Sequence, residues 1–261
     1  MISTLFQYCK LVLLNILLLN FISPATAQSD ALVFVNEDIQ LMHLGDSIFV
    51  HITWENSSTF GRFSSNGMII IRNGHALMID TPMDNAKTKI LTEYILNHLH
   101  ANVEKVIVGH YHDDCLGGLS YLHERGVTSI ANILTVEKCK EMELQIPSKS
   151  FNGRLTFNFQ NETVVCSFPG AGHTFDNIVV WLPNHKILFG GCFIKAAKST
   201  NLGNLEDAVV GQWNKSIENV KRNFPAEIVI PGHGDHGGKE LLTYTQKLVD
   251  EYLKQQKKTK N

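Results

Sequence analysis

Neither sign of charge dominates this sequence: the formal net charge is -2 over 261 residues. Nothing electrostatic therefore points to nucleic acid or an anionic membrane as a partner. The short basic tail "KQQKKTK" (Lys254 to Lys260) reads as a solvated helix end. No low-complexity stretch or long linker divides the chain, which argues for one domain. Cysteine is scarce, at five, and a chain this long builds a core without disulfide staples. No apolar run reaches the length of a comfortable membrane span.

One apolar run does stand out. "LVLLNILLLNFI" (residues 11–22) follows Lys10 and precedes Pro24 and the small-x-small tripeptide "ATA" before Gln28. This is the pattern of a secretory signal peptide over 1–27, cleaved after Ala27. It predicts an exported domain over 28–261, periplasmic, monomeric and free of the membrane once processed. Removal of the leader takes Cys9 with it. Cys115, Cys139, Cys166 and Cys192 remain, and the sequence leaves open whether Cys139 and Cys166 pair.

Periodicity then gives the elements. "ALVFV", "IQLMHLG", "SIFVHITW", "GMIIIRN" and "HALMID" read as strands, the last two flanking an Asn-Gly turn. Residues 84–100 predict a helix capped by Asp84, with Ile90, Leu91, Tyr94, Ile95 and Leu99 at helical spacing. "VEKVIVG" reads as a buried strand, "GGLSYLHERG" as a short helix and 135–143 as another. In the second half, "RLTFNFQ", "TVVCSF", "NIVVWLP" and "KILFGG" predict strands. A helix around 206–222, the strand "EIVIPG" and a helix around 239–256 follow. Strands followed by strand–helix alternation, twice over, predict an αββα sandwich, two mixed β-sheets with helices on both outer faces.

Four junctions share one design. "VIVGH" ends at His110, "FPGAGH" at His173, "LFGGC" at Cys192 and "IVIPGH" at His233: an apolar strand, a glycine, then a potential metal ligand. The glycines suit a sharp turn, and strand ends on a rigid scaffold let side chains converge. In extended backbone His110 and His112 would project to the same side, with Asp114 two positions on. Imidazole, thiolate and carboxylate are the ligands zinc favours. The inventory supports two ions, one on His110, His112 and His173 with a position left open, the other on Asp114, Cys192 and His233. His98 and His100 fit a helix end. His43, His51, His75, His123 and His185 read as surface or turn residues, and His236 as a bystander.

The motifs "HYHDD", "GHTFDNIVVWLP", "GGCFIK", "NLGNLEDA" and "PGHGDHGG" resemble the metallo-β-lactamase superfamily, and within it class B β-lactamases of subclass B1. Cys192 at the bridging position and a non-histidine, Cys115, after the aspartate separate the pattern from thioesterase-like relatives. The resemblance implies the αββα fold, two zinc ions, and hydrolysis of penicillins, cephalosporins and carbapenems by a zinc-bound hydroxide, giving antibiotic resistance. It also implies that Asp114 orients the nucleophile, Lys195 anchors the substrate carboxylate and Asn204 donates a hydrogen bond to substrate. The segment 56–67, with Phe60 and Phe63, resembles a flap over the substrate. Glu206 departs from the family's usual glycine, and Cys115 is not counted as a ligand. A related zinc thioesterase or lactonase, and an exported zinc-binding protein without turnover, remain the alternative readings.

Overall fold

The computed structural model describes residues 31–59 and 61–259; the expected leader, Cys9 and Phe60 lie outside the described residues. Strands β1 (Ala31–Phe34), β2 (Ile39–Gly45), β3 (Ile48–Ser57), β4 (Gly61–Arg72) and β5 (His75–Ile79) come first. Tight turns join them. Asp46 and Ser47 both take positive φ between β2 and β3, and Asn73 and Gly74 do so between β4 and β5, as the Asn-Gly signal requires. Helix α1 (Asn85–His98) then leads to β6 (Asn102–Val108). Asp84 caps α1 by accepting the Lys87 N–H at 2.7 Å, the arrangement the sequence predicts.

A one-turn helix, α2 (Asp113–Leu116), precedes α3 (Leu119–His123), the short helix expected over 117–126. The break falls at Gly117, where a Cβ would come within 2.1 Å of the Met83 carbonyl oxygen. Strand β7 (Thr128–Asn132), helix α4 (Ile133–Glu141) and strand β8 (Lys149–Phe151) complete this half. Helix α4 starts two residues earlier than its apolar pattern suggests because the Asn132 side chain accepts the Leu134 N–H. The second half holds β9 (Arg154–Phe159), β10 (Glu162–Ser167), β11 (Val179–Leu182), β12 (Ile187–Gly191), α5 (Val210–Asn223), β13 (Ile228–Pro231) and α6 (Glu240–Thr259). The expected start of α5 near 206 is corrected to Val210, since residues 205–208 form a turn closed by Ala208 N–H to Leu205 O. Among the described residues no helix is long and apolar enough to cross a membrane.

The strands form two mixed sheets, β1 to β8 in sequence order and β13-β12-β11-β10-β9. Pairs β5–β6, β6–β7, β7–β8 and β12–β13 are parallel, and helices make those crossovers. Alternation along each strand sorts its side chains between layers. Met68, Ile70, Leu77 and Ile79 meet Val180, Leu182, Phe189 and Ile230 in the cluster between the sheets. Ile69, Met78, Val106 and Val108 face the opposite way, packing with Leu91 and Ile95 of α1 and Val136 of α4. Val179, Leu188 and Val229 pack against Trp213, Ile217 and Val220 of α5 and Leu248 of α6. The result is the αββα sandwich. Within α1, Ile90 is a correction: it sits on the outer flank, 38% exposed, while Leu91 and Ile95 are buried.

Two further expectations change. His51 is no surface residue: it is 1% exposed, its Nε2 3.1 Å from the Asp80 carbonyl. Its ring fills the notch left by Gly67, whose Cβ would lie 1.9 Å from that nitrogen. Cys139 and Cys166 are both free, one in the helix-facing cluster and the other between the sheets.

Candidate metal centre

Chain ends of β6, β12 and β13, with the loop after β10, meet along one edge of the sandwich. His110 and His112 follow β6, Asp114 lies in the first turn of α2, His173 lies midway along the loop between β10 and β11, Cys192 follows β12 and His233 follows β13. The glycines before these ligands serve space more than turning. Of Gly109, Gly172, Gly191 and Gly232, only Gly191 has positive φ, whereas a Cβ on Gly232 would meet the Cys192 sulfur at 2.4 Å.

Residues 109–112 are irregular, so His110 and His112 do not share a strand face as expected. They converge through the turn into α2, with ring centroids 4.6 Å apart. The His173 ring stands 4.9 Å from His110 and 5.4 Å from His112. Cys192 Sγ lies 3.0 Å from Asp114 Oδ2 and 3.3 Å from His233 Nε2, which is itself 3.4 Å from Asp114 Oδ2. All six side chains therefore gather. Their ligand atoms form three overlapping groups: His110 with His112 and Asp114, His110 with His173 and Cys192, and Asp114 with Cys192 and His233. The third is the second set expected from sequence. The other two share His110, so the expected trio of histidines is linked through that residue. His236 joins none of these groups.

Neighbours fix the ring orientations. His233 Nδ1 donates to the Ser64 carbonyl at 2.7 Å, which leaves Nε2 as the bare nitrogen toward Asp114. His112 Nε2 donates to the Asp207 carboxylate at 2.9 Å, leaving Nδ1 inward. Cys115 Sγ sits 3.0 Å from His110 Nδ1, so Cys115 braces a ligand and is not one. Beneath them Asp80, 2% exposed, accepts the Gly109 N–H at 2.6 Å, and burial pushes its carboxyl up to about 8. Asp207 lies inside the motif "NLGNLEDA" but was not singled out from sequence; a carboxylate three residues after Asn204 was the available signal.

The donor set suits a divalent cation. Burial drives the His110 imidazole down to about 3 against the pull of Asp114, and holds His173 well below its ordinary value. Burial alone would raise the Asp114 carboxyl, but His110 and His233 outweigh it and keep it well below the usual range. Burial and the Asp114 charge together raise the Cys192 thiol, so thiolate there calls for a compensating positive charge. Asp114 Oδ1 and His173 Nδ1 are buried with no hydrogen-bond partner among the described residues. An ionised carboxylate oxygen left so is costly unless a cation satisfies it.

A cavity of about 630 Å³ opens above the cluster, with Phe63, Met83, Tyr111, Met142 and Leu144 as apolar walls and Lys195 and Asn204 among its polar groups. Lys195 is 7% exposed. Its Nζ lies 5.5 Å from the Trp213 ring centroid, and it makes no ion pair among the described residues. Burial pushes its ammonium pKa down, opposed by Cys192 and Asp114. Asn204 Oδ1 accepts the Glu206 N–H at 3.1 Å, which leaves its amide nitrogen as the donor. The flap is no open loop. Strands β3 and β4 stay paired out to Ser57 opposite Gly61, so it is a two-stranded arm with a short tip. Phe63 on that arm is half-buried, its ring 6.0 Å from His233.

Residues 60–233 match the family model of the metallo-beta-lactamase superfamily. The chain is 40% identical to the metallo-beta-lactamase type 2 of Bacteroides fragilis, covering 91% of this chain and 96% of that one. It is 32% identical to the enzyme of the same name from Pseudomonas aeruginosa, over 94% and 97%. Among solved structures, the metallo-beta-lactamase from Pontibacter korlensis superposes with a TM-score of 0.79 at 32% identity, over 81% of this chain and 99% of that one.

Proposed function

This chain belongs to the metallo-β-lactamase superfamily as a class B β-lactamase, and from that premise we propose an exported two-zinc enzyme of subclass B1 that opens the amide of penicillins, cephalosporins and carbapenems. His110, His112 and His173 would hold one ion, and Asp114, Cys192 and His233 the other. When bound, such ions polarise a carbonyl and bring the pKa of water to about 7.

The chain's own groups supply the rest. Asp114, ionised and buried, accepts a hydrogen bond from the attacking water and orients it. The Lys195 ammonium, at the cavity wall without an ion-pair partner among the described residues, takes the substrate carboxylate through a charge-assisted bond. Asn204 donates from its amide nitrogen to the carbonyl or carboxylate, and that bond strengthens as charge develops. Phe63 covers the bound substrate and excludes water, with Phe60 assigned to the same arm from sequence. Such closure strengthens every polar contact inside.

One observation carries this reading. The thiol of Cys192, 78 residues from Asp114 and 41 from His233, lies within 3.3 Å of a ligand atom on each. A thiol at that position, where thioesterase-like relatives carry a bridging aspartate, is what favours β-lactams over thioesters. The test is loss of carbapenem absorbance with and without chelator, beside a glutathione thioester and a metal count per chain. Turnover that chelator abolishes, with two zinc ions per chain, is expected. Preference for the thioester, or metal binding without turnover, overturns it. Export to the periplasm rests on residues 11–27, and N-terminal sequencing of the periplasmic protein is expected to begin at Gln28.

A further inference from the structure

Resting on the two-ion reading above, we propose that Asn66 is a positioning residue for the metal site of Asp114, Cys192 and His233. It clamps the turn at 231–234, so that His233 faces its co-ligands. Asn66 lies in β4, on the sheet opposite the one that ends in His233, and is 5% exposed. Its single amide nitrogen donates to two carbonyls that bracket His233, Pro231 O at 2.9 Å and Gly234 O at 2.8 Å. Its backbone N–H donates to Gly232 O at 2.8 Å. With the Ser64 carbonyl on His233 Nδ1, four hydrogen bonds tie residues 64–66 to residues 231–234.

The turn needs that support. It holds two glycines, one at φ +79°, and it begins with a proline that has no N–H to give. Gly232 N–H to Gly191 O, at 2.7 Å, is its bond toward β12. Without the Asn66 carboxamide, two carbonyls lose their donors, and one of the two residues between them, His233, is a ligand. The chemistry is specific to the amide. Aspartate would set a carboxylate against two carbonyl oxygens, serine offers one donor, and alanine none. His110 and His112 do not depend on this clamp, because His110 leans on Cys115 and His112 on Asp207, and His173 stands on the loop between β10 and β11, away from residues 231–234 in the chain. The effect should therefore fall on one ion of the two.

Loss of a partner that holds a ligand lowers metal affinity by about 10–100-fold. Stepwise chelator competition on full-length processed protein gives two zinc dissociation constants. With Asn66→Ala, one is expected to rise about tenfold or more while the other stays within about twofold. In the cobalt-loaded protein, the thiolate-to-metal band from Cys192 should need correspondingly more cobalt to develop. Asn66→Ser should fall between wild type and alanine, and it carries the test if the alanine chain does not fold. Asn66→Asp should be at least as weak as alanine. Both constants unchanged, both raised alike, or an aspartate variant equal to wild type would each overturn the assignment. A wild-type chain that binds no ions overturns the two-ion reading and this one together. A two-ion wild type beside an unaffected Asn66→Ala overturns this one alone.

Discussion

Replacing Lys195 by methionine should weaken substrate binding and stabilise the protein at once. The side chain is 7% exposed, its ammonium is offered no ion pair among the described residues, and burial depresses its pKa. A charge kept dry without a partner is a standing cost, and removing it in favour of an apolar chain of similar length recovers part of that cost. Even about 1 kcal/mol recovered raises Tm by about 2–4 °C for a chain of this size. The same ammonium is the group proposed to meet the substrate carboxylate. A charge-assisted hydrogen bond is worth about 1.5–3 kcal/mol, so its loss raises KM by about 10- to 150-fold with a smaller change in kcat. The assay pairs a thermal melt with steady-state kinetics on a β-lactam bearing the carboxylate and on its methyl ester. The ester's KM should barely respond to the substitution. Equal KM for wild type and variant on the acid would show that the carboxylate docks elsewhere, and a lowered Tm would show that the buried ammonium is not a burden.

Phe63→Ala removes about 1 kcal/mol of apolar contact over the cavity and should raise KM about fivefold across several β-lactams, with unchanged kinetics refuting a covering role. Gly232→Ala places a Cβ 2.4 Å from the Cys192 sulfur; elemental analysis should find fewer than two zinc ions per chain, and a full complement would refute the steric argument. His51 is held down to about 4 from 6.5 by burial. A depressed histidine costs stability as pH falls, because the unfolded chain takes up a proton below about 6.5 that the folded chain refuses until about 4. That window is worth about 3 kcal/mol. His51→Gln should flatten the fall in denaturant midpoint between pH 6.5 and 4, and an unchanged slope would place the acid sensitivity in other groups.

The sequence carries the layers and the ligands because both follow local rules. Strand alternation, the Asp84 cap and the four strand–glycine–ligand junctions are written within a few residues of one another. What it hides is set by contacts across the fold. His51 looks like any polar residue in an alternating strand, and only the missing Cβ of Gly67, on the neighbouring strand, admits its ring to the interior. Serine and glycine in 56–67 suggest a loose loop, yet the ladder to β3 keeps most of that segment extended. Asp207 and Asn66 act on ligands 95 and 167 positions away, respectively His112 and His233, and no pattern inside a window of helical or strand period reports such a pairing. The glycines before the ligands were legible as necessary, but for turning; at Gly232 the limiting factor is the neighbouring sulfur.

The donor atoms come from both layers of the sandwich, with His110, His112 and Asp114 supplied by the larger sheet and Cys192 and His233 by the smaller. Any cation gripped by both acts as a rivet through two plates otherwise held by apolar packing and by hydrogen bonds such as those between residues 64–66 and 231–234. Occupancy then sets how readily the halves part: free metal at a hundred times the dissociation constant adds about 2.7 kcal/mol against unfolding. Scarcity of metal in the surroundings would disarm such a molecule and also make it easier prey for proteases, so that abundance and activity decline together.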